Sequence, residues 1–245
     1  MAPLRTRRLH SLQDNPAQNS LLAQFPTAVY RQIAPELEPV AVQLGEVVHE
    51  VGDQVKHLHF PNRNTMFSLL CTSQEANAVE VAVTGWEGFV GFAPLMGGDS
   101  SPHQVISQIP GAALRIKAEV LHKVFQASQE VRTLLLRYVQ AVLGQISQTA
   151  LCNRIHSVEE RLGRWILVSR DRTENHQLPL THEFLARMLG VNRSTVSLTA
   201  ATLQKAGLIR YSRGKFTVVN RERLQDVACD CYLIVREQYK RLGIL

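Results

Sequence analysis

The sequence lacks any run approaching the roughly 18 apolar residues needed to span a bilayer, and no apolar segment follows its basic start at Arg5, Arg7 and Arg8. The first absence argues against a membrane protein and the second against a secretory signal, so a cytoplasmic protein is expected. Cysteine is scarce: Cys71, Cys152, Cys229 and Cys231 are too few and too unevenly spaced for the disulfide framework of a small secreted domain. Cys229-x-Cys231 lacks zinc-site spacing, and no second Cys or His pair lies near it in the sequence, so no metal is expected. Catalytic signatures are missing as well. Neither G-x-S-x-G nor H-E-x-x-H occurs, no carboxylates are paired for acid–base work, and Gly85-Trp-Glu-Gly-Phe-Val-Gly91 lacks the spacing and following helix of a dinucleotide loop. The chain does not read as an enzyme.

What is present is an uneven distribution of charge. Residues 1–150 hold eleven Lys and Arg against twelve Asp and Glu, whereas 151–245 hold sixteen against nine. A basic region joined to a neutral one is the electrostatic footprint of a module that meets a polyanion, and duplex DNA is the commonest such partner. A second reading keeps the first part as a ligand-binding sensor and lets the basic part contact a protein or membrane surface.

Residues 1–20 are polar and basic and read as a mobile arm. Leu21 to Pro39 carries apolar residues interrupted by Pro26, Pro35 and Pro39, which fits short helical turns. From Val40 the period becomes two, and eight of the 14 glycines fall between Gly45 and Gly111. Short strands joined by glycine turns predict an antiparallel, jelly-roll-like β-roll over 21–128. His57-x-His59, with His49 or His103, offers imidazoles for a metal or haem, although histidines on a half-exposed strand are more simply surface residues.

Helical periodicity begins at Glu119. Two apolar rows then follow one helix over 129–153, the first including Val131, Leu135 and Tyr138 and the second Leu135, Val139, Val142 and Ile146. Spacings of three and four predict a coiled-coil seam, with one row packed on the helix's own domain and the other meeting a symmetry mate in a homodimer; the alternative is a single-sided helix packed entirely within the monomer. Ser157-Val-Glu-Glu160 is a capping box that starts the next helix, leaving 150–156 as the interdomain hinge and 154–245 as a separate module.

Within that module, Thr181 is placed to cap a short helix, Gly190 to make a tight turn and Asn192 to cap a second helix from Arg193. Leu185, Ala186, Leu189, Val191 and Val196 supply a shared core, the pattern of a helix-turn-helix. Arg193, Ser194 and Ser197 form a face suited to a major groove. Arg210 to Val219 reads as a hairpin wing whose Arg213 and Lys215 approach phosphates.

With its Gly190-Val-Asn-Arg-Ser-Thr-Val196 motif and its Phe89-Val-Gly-Phe-Ala-Pro-Leu95 segment, the chain resembles the Crp/Fnr family of bacterial transcription regulators over nearly its whole length. The resemblance implies an α+β fold: an N-terminal antiparallel β-roll, a long dimerisation helix and a C-terminal winged helix-turn-helix. It also implies a dimer on a near-palindromic operator, with RNA polymerase as a further partner. DNA contacts fall on Thr181, His182, Asn192, Arg193, Ser194, Thr195, Ser197, Leu198, Arg213 and Lys215, with Arg193 in the place of the family's recognition arginine. Leu198 stands where a polar or basic side chain is common, so a different DNA sequence is expected. An effector pocket is implied around Phe89, Val90, Gly91, Phe92, Leu95, Ser100, Ser101 and His103. Cyclic-AMP-binding members carry Glu after the glycine that Gly91 resembles and an Arg-Ser or Arg-Thr pair about ten residues on. Here Phe92 follows Gly91 and no arginine lies between Arg63 and Arg115, so the phosphate lacks its bidentate cation and tight cyclic-AMP binding is not expected. No cysteine precedes Cys71, so the N-terminal iron–sulfur centre of oxygen-sensing members is not expected either.

Overall fold

A computed structural model describes residues 18–73, 78–173 and 177–245. Most of the expected arm lies outside these residues, but 18–20 are built into the fold. Buried Asn19 caps α1 (Ser20–Ala23), accepting from Leu22 N at 3.0 Å and donating to Pro61 O at 2.9 Å and Gly88 O at 2.8 Å. The short helix α2 (Thr27–Ile33) follows.

Seven strands form the roll: β1 (Glu38–Val42), β2 (Val47–His49), β3 (His57–Pro61), β4 (Met66–Thr72), β5 (Ala78–Thr84), β6 (Gln104–Ile109) and β7 (Gly111–Lys117). They make two antiparallel sheets, ordered β1-β7-β3 and β2-β6-β4-β5. Phe60, Phe67, Leu69, Leu114 and Ile116 fill the space between the sheets. Sequence alternation is lost at Met66-Phe-Ser-Leu-Leu70, where all five side chains are buried, because the second sheet is covered on both faces. Phe67 and Leu69 enter the roll's interior, while Met66 and Leu70 meet Leu162, Trp165 and Ile166 of the following module.

Helix α3 (Ala118–Ala127) leads into the long helix α4 (Gln129–Ile155), whose 27 residues span about 40 Å at 1.5 Å per residue. The helix runs through most of the predicted hinge, leaving only His156 and Ser157 between it and α5 (Val158–Asp171). The capping box forms as expected: Glu160 N donates to Ser157 Oγ at 3.3 Å, and Ser157 N donates to Glu160 Oε2 at 2.7 Å.

The remaining elements are β8 (Gln177–Pro179), α6 (His182–Leu189), α7 (Arg193–Lys205), β9 (Ile209–Ser212), β10 (Lys215–Val218), α8 (Arg221–Val227) and α9 (Cys231–Arg241). The predicted hairpin is the larger part of a three-stranded sheet, ordered β8-β10-β9. Residues 154–245 do not close on themselves. Helix α9 returns to α4, where Gln238 occupies the space a side chain at Gly144 would need, and Tyr239 Oη donates to Gln145 Oε1 at 3.4 Å. Val235, Tyr239 and Ile244 thereby join the core of the roll and long helix. Among the described residues no helix is long and apolar enough to cross a membrane.

The expected dimer seam is corrected by this packing. Val131, Leu135, Tyr138, Val139 and Val142 are buried within the monomer, and Ile146 packs against the same core. Periodicity reveals that a helix has an apolar row; the roll and α9 are what cover it. Leu136, Leu143, Leu151 and Ile155 form the apolar side of α4 that stays exposed.

Candidate nucleic-acid interface

The helix-turn-helix is assembled from local signals. Thr181 Oγ1 accepts from Phe184 N at 3.1 Å, starting α6. Gly190 ends that helix at φ 63°, in the left-handed region that glycine enters without a Cβ penalty. Asn192 stands at the start of α7 with extended backbone, but its side chain makes no capping bond, so α7 begins on backbone geometry alone. Leu185, Ala186, Leu189, Val196, Ala200 and Leu203 bury the seam between the helices.

The outward side of α7 presents Arg193, Ser194, Leu198, Ala201, Thr202 and Lys205, all exposed, with Leu198 at 72%. Thr195 is half-buried. Ser197 is also half-buried, and its hydroxyl is already engaged: it donates to Arg193 O at 3.0 Å and lies 2.9 Å from His182 Nδ1. His182 in turn stacks on Tyr211, with ring centroids 4.1 Å apart. Burial and the charge of Arg193 lower its pKa, favouring the neutral ring. Ser197 and His182 therefore join α7 to α6 and the wing, so both side chains already have partners within the module.

The wing turns at Arg213 and Gly214, both with positive φ (49° and 75°), the requirement of a two-residue type I′ hairpin loop. Leu180 N donates to Gly214 O at 2.8 Å, holding the tip beside the start of α6. Arg213 and Lys215 are exposed there. A groove-sized helix and a basic tip thus lie on one surface, with Arg193 at the helix's first turn.

The expected effector pocket is filled. Phe89 stacks on Phe60 at 5.3 Å and packs on Tyr138 at 5.0 Å; Phe89, Val90, Phe92 and Leu95 all belong to the core. Gly91, Phe92, Ser101 and His103 border a void of about 10 Å³, room for a single water. Ser101 Oγ donates to His103 O at 2.7 Å, and Ser100 is exposed, bridged to Gln54. His49 and His59 are buried, their rings 5.4 Å apart, and burial lowers their pKa values to about 4 and about 3. Among the described residues these histidines belong to no group placed to hold a metal.

A different cluster escaped the sequence reading. Cys152 and His156, one turn apart at the end of α4, meet Cys229 and Cys231, with all four ligand atoms within 4.8 Å of one another. The second pair that Cys229-x-Cys231 lacked in the sequence is supplied from 77 residues away by the fold. The expectation that these thiols have no metal-binding neighbours is therefore overturned.

Residues 160–227 match the model of the Crp-like helix-turn-helix domain. Among solved structures, FixK2 from Bradyrhizobium japonicum superposes with a TM-score of 0.68 at 15% identity, covering 79% of this chain and 98% of that one. A putative Crp/Fnr-family regulator from Eubacterium rectale gives 0.65 at 18% identity, covering 84% and 96%. The c-di-GMP-responsive global regulator CLP from Xanthomonas campestris gives 0.64 at 17% identity, covering 79% and 99%. No curated protein matches the chain in sequence.

Proposed function

We infer that this chain, a Crp/Fnr-type transcription regulator with a helix-turn-helix DNA-binding domain, acts in the cytoplasm as a homodimer on a near-palindromic operator. The observation that carries the reading is the shared surface of α7 and the wing, with Arg193 exposed at the helix's first turn and Arg213 and Lys215 at the tip. Arg193 is suited to bidentate pairing with guanine O6 and N7, Ser194 to a base or phosphate, and the wing to the backbone. The exposed row Leu136, Leu143, Leu151 and Ile155 supports pairing along α4. Two modules set about one helical turn apart, ~34 Å, then read two half-sites. RNA polymerase is the partner through which the bound dimer acts, and no catalytic role is assigned.

The filled interior of the roll, with Phe92 at the position where a Glu would meet a cyclic nucleotide, supports control by something other than cyclic AMP. A signal at the roll must favour one arrangement of the two modules over another in order to change DNA affinity.

Selection of bound fragments from a random DNA library at two salt concentrations tests the reading. An enriched site with two-fold symmetry, bound by a dimer and losing affinity steeply with salt, is the expected result. Retention of all sequences alike, or of none, overturns it.

A further inference from the structure

We propose that Cys152, His156, Cys229 and Cys231 form a tetrahedral site for one zinc ion, which clasps the end of the long helix to the segment leading into α9. The four residues are the donor set of a closed structural zinc site, three thiolates and an imidazole. Cys152 Sγ lies 3.5 Å from Cys229 Sγ, and Cys231 Sγ lies 3.5 Å from His156 Nδ1. With zinc–sulfur bonds near 2.3 Å, a tetrahedron sets its sulfurs about 3.8 Å apart, so the observed spacing accommodates a single ion after small adjustments. A cluster of several irons needs a wider ring of sulfurs than one whose ligand atoms all lie within 4.8 Å.

The surroundings are those of a metal site as well. The ring of His156 turns Nδ1 toward the thiols and places Nε2 3.6 Å from Asp230 Oδ1, so that a small movement of this exposed carboxylate brings it to where it would orient a metal-bound imidazole through its second nitrogen. Gln148 Nε2 donates to Cys231 Sγ at 3.1 Å, and such a bond stabilises a thiolate. The three cysteines are buried and form a small cluster of their own. Binding releases the three thiol protons and leaves Zn²⁺, three thiolates and a neutral imidazole with a net charge of −1. Arg161 and Arg164, one turn apart on α5, supply compensating positive charge: Arg164 acts on Cys152 and Cys229, and Arg161 interacts with both thiols.

The position gives the ion a mechanical role. Cys152 sits on the last turn of α4 and His156 is the first residue of the two-residue break after it, while Cys229 shortly precedes α9 and Cys231 opens it. Occupation ties the long helix to the winged module directly beside the break at His156 and Ser157.

The test uses full-length protein, purified without oxygen in the presence of a phosphine reductant, with metal and protein quantified together. One zinc per chain is expected in the parent and in Cys71→Ser, and less than a tenth of that in Cys152→Ser and Cys229→Ser. Stripping the parent with a chelator should lower its thermal midpoint by about 5 °C or more, with recovery on adding Zn²⁺ but not Mg²⁺. Co²⁺ added to the stripped parent should give tetrahedral d–d bands and thiolate charge transfer, a readout that needs no variant to fold. A stripped parent that takes up neither Zn²⁺ nor Co²⁺ overturns the proposal, as does full zinc content in both Ser variants, or iron accompanied by inorganic sulfide. None of these readouts involves DNA, so they stand apart from the operator experiment.

Discussion

Arg172 Nε donates to Glu87 Oε1 at 2.7 Å across the seam between the winged module and the roll, and both side chains are buried. Glu87 Oε1 also accepts from Gly85 N at 3.2 Å, while Arg172 Nη1 donates back to Val168 O at 3.3 Å. The pair fixes the end of α5 against the loop after β5. Removing one partner strands a buried charge, so Arg172→Ala should cost about 3–5 kcal/mol. Replacing both residues by Leu should cost less than the single change. Urea unfolding of the two variants beside the parent checks this, and equal losses in the single and double variants would contradict it.

For DNA recognition, Arg193→Ala should lose about 1–3 kcal/mol of operator binding and relax the base preference at one position of each half-site. Lys215→Ala should weaken all sequences alike and lower the salt slope by about one. Fluorescence anisotropy on matched and mutated operators separates the two outcomes.

Ser197, half-buried where Arg193, Ser194 and Leu198 are exposed, is expected to matter for stability first. Ser197→Ala removes the partner of His182 Nδ1 and should cost about 1 kcal/mol of stability, with the base preference unchanged. A shift in the selected site without loss of stability would return Ser197 to the groove.

Assembly and folding separate on α4. Leu143→Glu, on the exposed side, should convert the dimer to a folded monomer in sedimentation experiments. Leu135→Ala, on the buried side, should cost about 2–5 kcal/mol of stability and leave the folded fraction dimeric.

Glu80 sets a pH dependence at the interdomain seam. It accepts from Ser68 Oγ at 2.6 Å and Trp165 Nε1 at 2.8 Å, and burial raises its pKa from 4.5 to about 7. A proton held more tightly in the folded state stabilises it fully below about pH 4.5 and is lost as a stabiliser as the pH rises to about 7. His49 and His59 act in the opposite sense. Burial depresses them from 6.5 to about 4 and about 3, so their contribution is present above pH 6.5 and is lost as the pH falls through their folded values. Glu80→Gln should abolish the decline toward pH 7, a difference of up to about 3 kcal/mol, and leave the acid-side loss intact. Unfolding midpoints between pH 4 and 8 measure both slopes.

The elements legible in the sequence are those specified by neighbours in the chain. Thr181, Gly190 and Ser157 announce themselves through caps and a positive φ, and the structure uses each as its chemistry suggests. What lay beyond reach depends on distant partners. The apolar rows of α4 were visible, but not that both are covered within one chain, by the roll and α9 together. Phe89 and Val90 offered no alternation to tell an interior side from a ligand-facing one. Strand β8, only three residues long, carries too little pattern to detect. The thiol cluster joins segments whose proximity exists only after folding, and the sole local hints were the i, i+4 placement of Cys152 and His156 and the closeness of Cys229 to Cys231.

The return of α9 to the long helix has a kinematic consequence. Because the winged module is joined to α4 both through the peptide link at 156–157 and through Tyr239 and Gln238 docked beside Gly144, it cannot pivot like a flap on one tether. A rotation of that module has to carry α9 with it and so disturb the contacts of Gln238 and Tyr239 around Gly144.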